Sequence, residues 1–129
     1  MNNNKNMVSR GIRGAITVEA DTKEEIKSAT VELLSEMIKQ NEIDIEDISF
    51  AIFTVTKDIK SDFPAKYARL DMGFKYVPMM NYMEADIEGA LKKCIRIMLN
   101  VNTVKKQDEI KHVYLKGAKI LRQDLQTGN

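Results

Sequence analysis

Leu91-Lys92-Lys93-Cys94-Ile95-Arg96-Ile97-Met98-Leu99-Asn100-Val101 is the stretch on which the fold turns. Read with the two-residue period of a strand, Leu91, Ile95, Ile97, Leu99 and Val101 share one face, with Lys93 near its end. Lys92, Cys94, Arg96, Met98 and Asn100 share the other. The first set is a core face, so Arg96 projects from the middle of a strand whose back is apolar. Taking a guanidinium out of water costs several kcal/mol unless acceptors meet it. Either the fold supplies a partner carboxylate, or the charge waits for a ligand.

Outward from this strand, Val8 to about Val18 is strand-like and interrupted by Gly11 and Gly14, which indicate a bulge or a close backbone approach. Thr22-Lys23-Glu24-Glu25 fits a capping box, and Ile26, Ala29, Thr30, Leu33, Leu34, Met37 and Ile38 recur at helical spacing to about Gln40. Ile48 to Thr56 is a β-branched and aromatic strand. Phe63 to Asp71 suits a short helix with Pro64 in its first turn and Gly73 as its stop. Lys66 and Arg69, three apart, share a side of it. Phe74 to Met80 reads as a third strand, Asn81 to Gly89 as a loop, and His112 to Leu115 as a short last strand. In the C-terminal segment Ile120, Leu121 and Leu125 imply partial packing.

The order β-α-β, short helix, β, β, β has no repeat and no linker. It predicts one α+β domain over residues 8–125, with a disordered N-terminal tail at 1–7 and a C-terminal tail at 126–129. One long helix covers only one face of a sheet of about five strands. A homo-oligomer is the simplest cover for the other.

The chain has 129 residues, 43% hydrophobic and 30% charged, with a net charge of +1. That gives no bulk electrostatic case for nucleic acid or an anionic membrane. No apolar run approaches a membrane span, and the polar N-terminus lacks a signal peptide's apolar stretch. Cys94 is the only cysteine, which excludes an internal disulfide or a multi-cysteine zinc site. A cytoplasmic protein is expected.

No nucleophile elbow, zinc-protease, P-loop or dinucleotide motif is present. His112, the sole histidine, reads as structural or exposed, and Cys94 as a small buried hydrophobe. Lysines outnumber arginines 15 to 5, and the arginines Arg10, Arg13 and Arg96 lie beside glycine or apolar residues. Arginine supplies a planar fork for carboxylates, although it also bridges structural carboxylates and chain ends. Arg13, Arg96, Lys66, Arg69, Arg122, Glu84, Tyr114 and Asn81 together suit a small ligand with two carboxylates and a hydroxyl. An enzyme of this kind works by positioning and electrostatics.

Five stretches carry a resemblance. They are Arg10-Gly11-Ile12-Arg13-Gly14-Ala15-x-Thr17-Val18-Glu19, Phe63-Pro64-Ala65-Lys66, Gly73-Phe74-Lys75-Tyr76-Val77-Pro78, Leu91-Lys92-Lys93-Cys94-Ile95-Arg96 and His112-Val113-Tyr114-Leu115. In order and spacing they resemble the monofunctional bacterial chorismate mutases of the trimeric α/β-barrel, AroH-type class, from about Val8 to Leu125. The resemblance implies a mixed five-stranded sheet with one long helix and short helical turns, in a chorismate mutase II-like pseudo-α/β-barrel homotrimer with active sites at the subunit clefts. It implies the Claisen rearrangement of chorismate to prephenate, in phenylalanine and tyrosine biosynthesis, with no cofactor, metal or covalent intermediate.

It also implies roles. Arg96 donates to the ether oxygen and the enolpyruvyl carboxylate, Arg13 pairs with the side-chain carboxylate, and Tyr114 binds the same end. Glu84 accepts from the ring hydroxyl and steadies the arginines. Phe63, Ala65, Lys66 and Arg69 line the pocket mouth near the ring carboxylate. Met79, Met80 and Asn81 flank the ring, and Leu121 and Arg122 close over the site. Asn81 stands where family members carry a cysteine, and Met80 where threonine is usual. The alternatives are a Rid-type imine deaminase, which would handle one carboxylate, and a non-catalytic carboxylate-binding trimer.

Overall fold

The Arg96 strand lies at the centre of the sheet in the computed structural model, which describes residues 6–125 apart from the side chain of Leu125. Residues 1–5 and 126–129 of the expected tails lie outside the described residues. The strands are β1 (Val8–Thr17), β2 (Ile48–Val55), β3 (Met79–Met83), β4 (Cys94–Thr103) and β5 (Val113–Leu115). The helices are α1 (Lys23–Asn41) and α2 (Pro64–Asp71), and short 3-10 turns fill several connections. The sheet order is β3-β2-β4-β1-β5. β4 runs antiparallel to both neighbours, and the edge strands pair in parallel, β3 with β2 and β5 with β1. The sheet is therefore mixed, as expected.

The alternation in β4 holds where the strand exists. Ile95, Ile97, Leu99 and Val101 are buried against the helices. The expected strand began three residues too early. Lys93 takes a left-handed backbone, φ 49°, and its N–H is held at 3.0 Å by both oxygens of Asp58 instead of by a neighbouring strand. Leu91 consequently leaves the core face and packs against a small second cluster of Ala15, Cys94, Tyr114 and Ala118.

Helix α1 starts at the expected cap: the Glu25 N–H donates to Thr22 Oγ1 at 3.1 Å. The capping box is only half closed, because the Thr22 N–H donates to the Ala20 carbonyl. The Glu25 carboxylate accepts from the N–H groups of Glu19 (2.9 Å) and Ala20 (3.4 Å) instead. The buried stripe Ile26, Ala29, Thr30, Leu33, Leu34 and Met37 lies over the sheet. Gly14 permits the approach, since a Cβ there would sit 2.5 Å from Met37 Sδ.

The third strand is displaced from the expected Phe74–Met80. Pairing begins at Pro78, whose carbonyl accepts from the Ala51 N–H, and runs through Met83. Phe74 is fully buried, but as the residue after the Gly73 turn. Its N–H returns to the Ala68 carbonyl at the end of α2. An apolar run with a buried aromatic looks alike in both settings. In the C-terminal segment Leu121 packs partly, Ile120 does not, and Ala118 supplies the buried contact.

Both helices lie on one face of the sheet. The opposite face exposes Phe50 (40%), Tyr82 (46%) and Met80 (56%). Among the described residues no helix is long and apolar enough to cross a membrane.

Candidate active site

The strand registers place Thr54, Arg96, Ala15 and Tyr114 in one row across β2, β4, β1 and β5. Residues directly opposite one another point to the same side of a sheet. The row therefore lies on the face away from the helices, and Arg13, opposite Met98, lies on the same face in the adjoining row. Ala15 is the small member of the row. It separates Arg96 from Tyr114 by two strand spacings, about 10 Å, and is itself fully buried in a small cluster with Cys94, Tyr114 and Ala118.

Glu84 follows β3, and its N–H donates to the Val55 carbonyl at 2.8 Å. Its Oε2 accepts a hydrogen bond from the Thr54 hydroxyl and lies 3.4 Å from Arg96 Nε. The ion pair is partly buried, with the two side chains 23% and 22% exposed. Its geometry is not that of a hydrogen bond, and Arg96 Nε has no hydrogen-bond partner. The fold thus supplies a carboxylate that offsets the buried charge and still leaves the guanidinium a donor to spend.

Two cavities meet at this pair. One, of about 290 Å³, is lined by Arg13, Ile52, Thr54, Glu84, Arg96, Ile97 and Met98. The other, of about 380 Å³, lies under the loop from Glu84 to Lys92 and also touches Arg96. The Tyr114 hydroxyl is buried and without a partner. An orphaned buried hydroxyl costs about 1–3 kcal/mol, and it marks the end of the row remote from Thr54.

His112 is structural, in keeping with its sequence reading. Its Nδ1 accepts from the Arg13 N–H at 2.9 Å. Burial, helped by the charges of Arg13 and Arg122, holds its pKa below the usual imidazole value. The neutral ring fixes the backbone from which Arg13 projects. The Cys94 thiol is fully buried, and burial pushes its pKa up against the opposing influence of Arg96. A protonated buried thiol is not a nucleophile.

The remaining expected residues divide into two groups. Leu121 lies against the Tyr114 cluster, and Arg122, with φ 45°, pairs with Asp124 at 2.9 and 3.1 Å beside a shallow groove shared with His112. Phe63, Ala65, Lys66 and Arg69 on and before α2, and Met79, Met80 and Asn81 on β3, line neither cavity beside Arg96. They sit at the β3 edge of the sheet, whereas Tyr114 is at the β5 edge. Asn81 lies opposite Phe53, on the helix side, where its Oδ1 accepts from the Ala65 N–H at 3.2 Å and so ties β3 to the first turn of α2. One chain therefore brings Arg13, Glu84 and Arg96 to one cavity, with Tyr114 in the Arg96 row two strands away, and holds the second group apart. Sequence reasoning missed Thr54. Its signal was available: between the buried Phe53 and the inward Val55, it must face the same way as Arg96.

The family model for chorismate mutase type I matches residues 9–125; the expected mixed five-stranded sheet with one long helix stands, with type I as the family label in place of II. The chain is 47% identical over 119 residues to chorismate mutase AroH of Bacillus subtilis, covering 92% of this chain and 94% of that protein. It is equally 47% identical over 119 residues to chorismate mutase AroH of Thermus thermophilus, covering 92% and 97%. The solved chorismate mutase from Clostridium thermocellum superimposes with a TM-score of 0.84 at 50% identity, covering 86% of this chain and 98% of that one. With the guanidinium-lined row and these likenesses together, the chain belongs to the chorismate mutase type I family.

Proposed function

We propose that this chain rearranges chorismate to prephenate, and that Arg96 supplies most of the catalysis. The reaction is unimolecular: the ether C–O bond breaks ahead of completion of the new C–C bond, so negative charge gathers on the ether oxygen. No proton, metal or covalent adduct is required. A fixed donor aimed at that oxygen stabilises the transition state more than the ground state, by about 3–4 kcal/mol. The observation that carries the reading is Arg96, whose Nε is buried without a hydrogen-bond acceptor while its side chain lines a cavity with Glu84 beside it. Arg13 and Tyr114 take the side-chain carboxylate, and Glu84 accepts from the ring hydroxyl.

The second group, from Phe63 to Arg69 and from Met79 to Asn81, belongs at the other end of the substrate, around the ring and its carboxylate. A neighbouring subunit of a homotrimer would supply it, with Leu121 and Arg122 closing over the cleft. The unpartnered apolar sheet face supports this assembly, since Phe50, Met80 and Tyr82 stand open to water in one chain. A cytoplasmic location belongs to the same reading, as a consequence of an amino-acid precursor being the substrate.

The test follows loss of chorismate's diene absorbance. The unmodified chain turns chorismate over. Arg96→Lys keeps the charge but loses the planar fork, and turnover falls by roughly 10²–10³ with the circular dichroism spectrum unchanged. Near-normal turnover of the lysine variant would overturn the role of Arg96. Binding without prephenate formation by the unmodified chain would favour a carboxylate-binding trimer.

A further inference from the structure

Asp62 stands just before α2 with a side chain only 9% exposed. Its carboxylate is fully engaged. Oδ1 accepts from the Phe63 N–H at 2.9 Å. Oδ2 accepts from the Tyr67 hydroxyl at 2.6 Å and from Lys66 Nζ at 3.1 Å. The Tyr67 ring passes 5.5 Å from the same ammonium. Tyr67 is itself buried, so the phenol is a fixed post rather than a free surface group. The Tyr67 hydrogen bond, followed by the Phe63 N–H and Lys66, holds the Asp62 carboxyl down at about 2. The same bond, with burial, pushes the Tyr67 phenol up to about 12. The anion is thus permanent at any working pH.

We propose that Asp62, locked by Tyr67, is a positioning residue that holds Lys66 as a preset cation for the ring carboxylate of the substrate. This rests on the proposed role of Lys66 at the pocket mouth. A lysine on a half-exposed helix surface samples many rotamers, and ordering it opposes ligand binding. Here one of its three ammonium donors and the underlying ring fix its direction, and two donors stay available. The opposing effect is repulsion between Asp62 and the incoming carboxylate. Repulsion across the lysine head in water is weak and screened, and the Tyr67 and Phe63 donors draw down the anion's field. Positioning therefore prevails. The effect falls on capture of substrate and not on the ether bond, which Arg96 serves from a different part of the fold.

The experiment is a double-mutant cycle on chorismate turnover with Asp62→Ala, Lys66→Ala and the pair. Asp62→Ala raises KM roughly three- to five-fold, the scale of a well-ordered partly exposed ion pair, and leaves kcat within about two-fold. In the Lys66→Ala background the same change adds nothing to KM. Tyr67→Phe, which keeps the ring and unlocks the carboxylate, moves KM in the same direction by less. A KM increase on Asp62→Ala that persists undiminished without Lys66 would overturn the inference, as would a fall in KM or a loss confined to kcat. If Lys66→Ala itself leaves KM unchanged, the role of Lys66 fails and the positioning role falls with it. The arginine-centred reaction remains tested separately by Arg96→Lys. Thermal melts of each variant separate a folding defect from these outcomes.

Discussion

At the level of single side chains, the Tyr114 hydroxyl and Arg96 Nε are both buried donors without acceptors within the chain. Each carries a desolvation cost that an incoming carboxylate or ether oxygen would relieve. Tyr114→Phe removes such a cost. The ligand-free protein should melt at an unchanged or slightly higher temperature, while KM for chorismate rises about ten-fold, the worth of a hydrogen bond to a charged group. A large drop in melting temperature would show that the hydroxyl has a protein partner. Arg96 was legible in the sequence because an arginine amid Ile95, Ile97 and Leu99 contradicts its surroundings. Glu84 was not legible from the residues alone. Beside Asp86 and Glu88 it is one acid among three, and only the fold distinguishes it, half-buried under Thr54 while the other two are exposed. Thr54 escaped notice because a threonine in a β-branched strand satisfies propensity and asks for no further explanation.

Among the elements, the seat of α1 on β1 is set by what Gly14 lacks. In Gly14→Ala the new methyl would meet Met37 Sδ at 2.5 Å and Leu33 Cδ1 at 3.1 Å. Methionine yields in part, so the expected loss is about 1–3 kcal/mol, read as a lowered urea midpoint with an unchanged slope. In combination with Met37→Ala the penalties should be less than additive, because the truncated side chain makes room for the methyl. Elements with repeated signals were readable: α1 announces itself through Thr22, six spaced apolar positions and charges opposite. Boundaries set by single hydrogen bonds were not. The start of β4 depends on Asp58 capturing the Lys93 N–H from 35 residues away, and the start of β3 depends on the Pro78 carbonyl meeting Ala51. Periodicity carries no information about either contact.

For the molecule as a whole, one chain leaves a sheet face uncovered and holds the proposed ring-binding residues away from Arg96, and both have one proposed remedy. A charge placed on that face away from the cavities should block it. Phe50→Asp is expected to sediment as a monomer and to lose turnover in proportion. A monomer of full activity would overturn the shared site. That one face needed cover followed from counting helices against strands, but what covers it depends on surface shape, which the one-dimensional pattern does not encode. The loop between Glu84 and Lys93 has a different standing. Its first residue is tied to Val55 and its far end to Asp58, while residues 85–90 between them are all exposed. Moored at both ends, the intervening span can be rewritten or lengthened without shifting the carboxylate and the guanidinium relative to each other. Tuning of how tightly the enzyme grips its ligand, and how fast it lets go, is thereby uncoupled from the chemistry beneath.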